Sequence, residues 1–217
     1  RFDAIYWTSD QKRRTLASLM SRPSRQQDQA LLASGAALYP ELGCAGLSVR
    51  AVAAHAGVTA GMFHYHFESK DEFLRQVLQG FYEDLFSQMS APVQQPGPPL
   101  VRLHSALGAI ARFVREHAPL LRRVLGDAQT GHPVVTDFIQ RNLPRHVELV
   151  LGLLAEADQR GELGPQPPLL RATFLFGAVL APVLAAAVMS DSGLLPAFAQ
   201  PLVQPQVLSD AAIDERI

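Results

Sequence analysis

Residues 47–74 read LSVRAVAAHAGVTAGMFHYHFESKDEFL, and this stretch decides the fold. Ser48 suits the N-cap of a short helix, because its hydroxyl can accept one of the backbone N–H groups that a helix start leaves unpaired. Val49, Val52, Ala53 and Ala56 follow at helical spacing as its buried face, and Gly57 ends it. After Val58, Thr59 can cap a second short helix over residues 60–66, in which Phe63 and Phe67 stand four apart and point inward. Two short helices joined by a tight glycine-containing turn make a helix-turn-helix. Ser69 then caps a long helix whose first turn carries Asp71 and Glu72, where the helix dipole favours negative charge.

Upstream, residues 28–42 place Leu32, Ala36 and Tyr39 on one stripe, and Gly43 supplies a helix stop. Downstream, the long helix carries Leu74, Leu78, Phe81, Leu85 and Met89 at helical spacing before the break over residues 92–99, rich in proline. Further helices are expected over residues 100–117 (Leu103, Leu107, Ile110, Val114), 119–125, 136–142, 144–159, 169–189 and 208–216. Pro144 is read as the start of its helix. No sustained apolar-polar alternation signals a strand, so the fold class is all-α: a three-helix helix-turn-helix head ahead of a larger helical body.

The chain has 217 residues, 48% of them apolar, enough for a proper core, and its net charge is -1. No global positive field draws it to nucleic acid or an anionic membrane, so any such contact must be local. Basic residues gather at Lys12, Arg13, Arg14, Arg22 and Arg25. They fall in or just after an extension at residues 1–24, which is read as disordered or non-native before Met20, or else as a genuine basic arm that grips phosphate. Cys44 is the lone cysteine, which excludes an internal disulfide and a cysteine-rich zinc site.

The order and spacing of residues 47–74, with the helix before them, resemble the signature of the TetR family of transcriptional regulators. The hydroxyl-hydrophobic-Arg opening of Ser48 to Arg50, the Ala-Gly-Val before the turn, the Tyr65-His66-Phe67 run and Ser69-Lys70 all stand in place. His64 replaces the first aromatic of the family's Tyr-Tyr-His, and Ala60 stands where Lys or Pro is frequent. The resemblance implies a ligand-responsive, DNA-binding regulator in the cytoplasm. It would repress from a palindromic operator on double-stranded DNA as a homodimer, until a small, largely apolar effector releases it. Carried over by position, Arg50 reaches a base edge or phosphate, while Ser48 and Thr59, at helix starts, hold phosphate oxygens. Ala60, Gly61 and Met62 let the recognition helix approach the groove floor; His64, Tyr65 and His66 contact phosphate and base edges, and Lys70 clamps a phosphate. His64 and His66 point to different sides of their helix, so no metal is expected there. The domain reading is 1–24 extension, 25–70 DNA-binding head and 71–217 ligand-binding and dimerisation body.

In the body, Phe86, Phe113, Leu120, Phe138 and Phe174 are candidates for an apolar ligand cavity. His104, His117, His132 and His146 read as surface or core residues. The helix over residues 169–189 is apolar nearly all round, which calls for burial on every side, and a membrane span is set aside because Thr173 and Pro182 interrupt it. Gly177, Ala181 and Ala185 form a smooth ridge for a partner subunit, joined by Val147, Leu151 and Leu154 of the preceding helix. With no phosphate-binding loop, nucleophile elbow or zinc spacing in the sequence, neither an enzyme nor a bound cofactor is expected.

Overall fold

Ten α-helices and one π-helical turn make up most of the described residues. They are α1 (Ser9–Gly46), α2 (Val49–His55), α3 (Ala60–His66), α4 (Lys70–Val93), α5 (Pro99–Glu116), α6 (Ala118–Gln129), α7 (Pro133–Gln159), α8 (Pro168–Asp191), α9 (Gln200–Val203), the π turn Gln204–Leu208 and α10 (Asp210–Arg216). The computed structural model describes residues 9–217, with side chains from 26 to 190 and from 192 to 217. The side chains of the basic extension, and residues 1–8 altogether, lie outside the described residues.

The largest departures from the sequence reading are in α1 and α7. α1 begins at Ser9 rather than near residue 28; the residues ahead of Asp28, Pro23 apart, are mostly good helix formers. Tyr39 is buried as expected, but the rest of the stripe is Leu31 and Gly35, each one position before the expected Leu32 and Ala36. α7 is a single helix that runs through Pro144, not two helices divided there. A proline deletes one backbone hydrogen bond, and here the turn before it is held by α4: Gln79 Nε2 donates to the Asn142 side-chain oxygen (3.2 Å), and the Tyr82 hydroxyl donates to the Asn142 carbonyl (2.8 Å).

Burial divides into two connected regions. One gathers Leu31, Tyr39, Val52, Phe63, Phe67, Phe73 and Leu74 under the helix-turn-helix, and it continues into Leu120, Val124, Val134 and Val135 of α6 and α7. The other joins Leu103, Leu107 and Ile110 of α5 to Val150 and Leu154 of α7, to Val179 and Val183 of α8, and to Ile213 of α10. α8 is long and apolar enough to cross a bilayer, yet on its inner face Ala172, Val179 and Val183 are packed within this second region, and Ala186 is buried beside them.

The head meets the body at the end of α1. Gly43 has φ +63°, and a Cβ there would lie 2.6 Å from Cδ of Arg123, so only glycine permits α6 to come this close. Arg123 donates to the carbonyls of Pro40 (3.5 Å) and Glu41 (2.6 Å), which the helix end leaves without partners. One turn further along α6, the carboxylate of Asp127 accepts from the Cys44 N–H (2.8 Å) and the Tyr39 hydroxyl (2.9 Å). Burial raises the Asp127 pKa, but these hydrogen bonds and the nearby Arg123 charge outweigh it, leaving the carboxyl below its ordinary value. Burial also pushes the Cys44 thiol up to about 12, which makes it a poor nucleophile.

Asp127→Ala is expected to cost about 3 kcal/mol in urea denaturation, because it leaves a hydroxyl and an N–H buried without an acceptor. A depressed carboxyl contributes stability above its unfolded value, near pH 3.9, and loses it as pH falls through the folded value. The native protein should therefore lose stability below about pH 4, along a steeper slope than the Asp127→Ala variant.

Candidate nucleic-acid interface and ligand cavity

The helix-turn-helix is built by short-range bonds around an aromatic wedge. The Ser48 hydroxyl accepts from the Ala51 N–H at 3.2 Å and starts α2. Gly57, at φ +69°, turns the chain so that the Val58 N–H reaches the Ala53 carbonyl at 3.0 Å. Thr59 sits in the extended N-cap conformation, but its hydroxyl makes no capping bond. Phe63 of α3, Phe67 at its C-cap and Phe73 of α4 then meet with ring centroids 4.9 to 5.2 Å apart, fixing the angle at which α3 leaves the surface. α1 lies close behind, for a Cβ on Gly35 would come within 2.5 Å of the Phe73 ring.

This frame leaves Ser48, Arg50, Thr59, Ala60, Gly61, His64 and Tyr65 exposed. Tyr65 is 72% accessible, unusual for a tyrosine beside an aromatic core. Met62, His66 and Lys70 are half-buried. Arg50 and Lys70 make no ion pair among the described residues, whereas Arg75 is paired with Glu72. The His66 ring stands edge-on to Tyr65 with centroids 5.0 Å apart, and its Nε2 is buried without a partner.

The body encloses a cavity of about 670 Å³ between α4, α5, α6, α7 and α8, a size suited to a small organic molecule. Phe113, Leu120 and Phe138 line it, together with Phe81, Leu85, Ile110, Phe176 and Leu180. Leu125 and Leu143, both about half exposed, mark its mouth.

Two of the five expected wall residues stand elsewhere. Phe86 is stacked on Tyr82 and covered by the Arg145 guanidinium, 4.0 Å from its ring centre, so it faces away from the cavity. Phe174 is 72% exposed on the opposite side of α8 from that helix's core face.

Sequence reading missed the polar end of the wall: Tyr82, Asn142 and His146. The spacing of Asn142 and His146, one helical turn apart, is the signal that could have paired them. Burial pushes the Tyr82 hydroxyl up to about 12. Burial, and then the charge of Arg145, lower the pKa of His146.

On the outside of α8, Leu170, Phe174, Gly177, Ala181, Ala185 and Val188 form an exposed apolar stripe, and Gly177 also reaches the cavity edge. Beside it on α7, Gly152 and Ala155 are exposed, while Val147 and Leu151 are half-buried. Leu154, expected in a partner contact, is instead 2% accessible inside the second core region, on the same side of α7 as Val150 and Ala157.

Residues 31–77, the end of α1 through the first turns of α4, match the family described as bacterial regulatory proteins, tetR family. The transcriptional repressor DhaR of Mycobacterium sp. (strain GP1) is 39% identical over 158 residues, 70% of this chain and 80% of that one. The chain belongs to the TetR family. As a TetR-family protein it is a DNA-binding transcriptional regulator with its helix-turn-helix in the head. The repressor KstR2 of Mycobacterium tuberculosis is 33% identical over 87 residues, 40% of this chain and 44% of that one. Its solved structure, described as a ketosteroid transcriptional regulator, superimposes with a TM-score of 0.59 over 87% of this chain and 95% of that one, at 23% identity. The regulator FadR of Bacillus subtilis, solved in complex with stearoyl-CoA, gives a TM-score of 0.65 over 84% of this chain and 98% of that one, at 17% identity. Those two structures share the TetR fold, head and body together.

Gly35→Ala tests the frame of the reading head. The added methyl drives Phe73 off its seat, and a loss of about 1–3 kcal/mol in thermal or urea unfolding is expected. Gly61→Ala, on the open face of α3, should change unfolding by less than about 0.5 kcal/mol.

Proposed function

We propose that this protein is a ligand-responsive repressor that binds a two-fold operator as a homodimer and leaves it when a largely apolar molecule fills the cavity. The observation that carries this reading is the position of α6. Leu120, Leu121, Val124 and Leu125 face the cavity, while Arg123 and Asp127 of the same helix hold the end of α1. A ligand that prefers one seat of α6 over another acts on the head directly, and by no more than that preference. The stearoyl-CoA bound to FadR supports an apolar occupant.

Residues 25–70 act as the reading head and 71–217 as the body. Arg50 donates its fork to a guanine edge or a phosphate, and Lys70 clamps a phosphate from the start of α4. Ser48 and Thr59 offer hydroxyls and free amides to the backbone of the duplex. Ala60 and Gly61 bring α3 close to the groove floor, Met62 meets a thymine methyl, and His64, Tyr65 and His66 complete the contact. Working on operator DNA, the protein is cytoplasmic and catalyses no reaction.

The exposed stripe of α8 supports dimerisation through that helix. Its apolar side chains, with Gly177, Ala181 and Ala185 as a smooth centre, lose their contact with water when a second copy packs against them. Gly152 and Ala155 of α7 leave room beside that stripe, with Val147 and Leu151 at its margin. Pairing sets two heads about 34 Å apart, one turn of DNA.

The test is a mobility-shift titration on the DNA upstream of the protein's own gene. Arg50→Ala and Tyr65→Ala are each expected to weaken saturable, competitor-resistant binding by about five- to hundredfold; unchanged binding in both would overturn the interface. Ala181→Asp should give a monomer in sedimentation and abolish the shift, and a dimer that survives it would remove α8 from the interface.

A further inference from the structure

If the cavity is the effector site, as proposed above, the polar end of its wall specifies the chemistry of the occupant. Among the described residues, no Asp, Glu, Lys or Arg side chain lines the cavity. Arg145, next to His146 in sequence, is already committed: it donates to the Glu83 carboxylate at 2.6 Å and lies over the Phe86 and Tyr82 rings at 4.0 and 4.9 Å. An ionised group enclosed by this wall has no counter-charge to offset the loss of its hydration. A carboxylate or an ammonium is therefore a poor occupant.

The neutral polar groups can be followed proton by proton. Both amide protons of Asn142 are spent, on the Phe138 carbonyl at 2.9 Å and on Gln79 Oε1 at 3.1 Å, and its oxygen accepts from Gln79 Nε2 at 3.2 Å. The Thr173 hydroxyl donates to the Leu169 carbonyl at 2.8 Å. Tyr82 has one proton and two polar neighbours, the Asn142 carbonyl at 2.8 Å and His146 Nδ1 at 3.3 Å. A carbonyl can only accept, and it is the nearer partner, so it takes the proton.

His146 Nδ1 must then carry the hydrogen that the Tyr82 oxygen accepts. With the ring kept neutral by burial and by the Arg145 charge, the lone pair belongs to Nε2. That atom has no hydrogen-bond partner among the described residues, and His146 stands in the cavity wall. The wall thus offers an unused acceptor and no unused donor.

We propose that the effector is an uncharged, mainly apolar molecule bearing a hydroxyl, which donates its proton to Nε2 of His146. A ketone or ether oxygen of the same size finds nothing to accept from, whereas an O–H completes the chain from His146 through Tyr82 to the Asn142 carbonyl.

Calorimetric titration of the full chain with n-decanol, its isomer methyl nonyl ether, and decanoate tests this directly. The alcohol is expected to bind about five- to tenfold tighter than the ether, the worth of one net hydrogen bond, and about a hundredfold or more tighter than the ionised acid. His146→Phe keeps a flat ring but removes the acceptor, and should bind the alcohol and the ether equally. His146→Gln, which can present an oxygen in the same region, should restore part of the preference. Equal binding of the two isomers to the native protein, preferred binding of decanoate, or no binding of the alcohol would overturn the proposal. Leu180→Trp, which narrows the cavity, separates the two readings. If it abolishes binding of both isomers while the native protein fails to distinguish them, the cavity remains the ligand site and only the hydroxyl is lost. If alcohol binding follows the pattern above but leaves operator affinity unchanged, the hydroxyl stands and the switch falls.

Discussion

One carboxylate holds the two halves of the molecule in register. Asp127 stands where α6 passes the end of α1, and it accepts hydrogen bonds from both a backbone N–H and a buried tyrosine hydroxyl. Arg123, one turn earlier, takes the carbonyls that the same helix end leaves free. The pair thus supplies both kinds of partner that a terminating helix needs, and Gly43 supplies the room for them to arrive. Apolar packing alone discriminates poorly between neighbouring seats of two helices; these directed bonds favour one of them. The angle of α3 is set from this junction, through α1, Gly35 and the Phe63, Phe67 and Phe73 wedge.

Local signals made the head legible. Ser48, Gly57, Ser69 and the inward phenylalanines act over a few residues, so sequence spacing alone places α2, α3 and the start of α4. Gly43 was also readable as a helix stop, but not as the point that α6 approaches, because Arg123 lies far along the chain and nothing in either residue announces the other. The same limit explains Phe86 and Phe174. Composition says that an aromatic will be covered; it cannot say whether a cavity, an Arg145 guanidinium or nothing in the same chain does the covering. Pro144 misled for a related reason, since the bonds that carry α7 through it come from Tyr82 and Gln79 on α4.

α8 shows how one apolar sequence can serve three environments. Ala172, Val179, Val183 and Ala186 turn to the core, Phe176, Leu180 and Leu184 to the cavity, and Leu170, Phe174, Ala181 and Ala185 to the outside. Each face is apolar, so the helix has little amphipathic pattern, and only its neighbours distinguish one side from another. The small residues are concentrated on the outer face, where a flat surface is left.

The cavity also weighs on the lifetime of the protein. Its wall atoms lack the packing partners that a filled core would give them, which is stability forgone. Any molecule that binds there and not to the unfolded chain returns some of it, in proportion to the logarithm of its concentration. The empty protein opens more often and is the better protease substrate; the filled one persists. If the proposed effector fills the cavity, the amount of regulator in the cell is itself a record of how recently it did so.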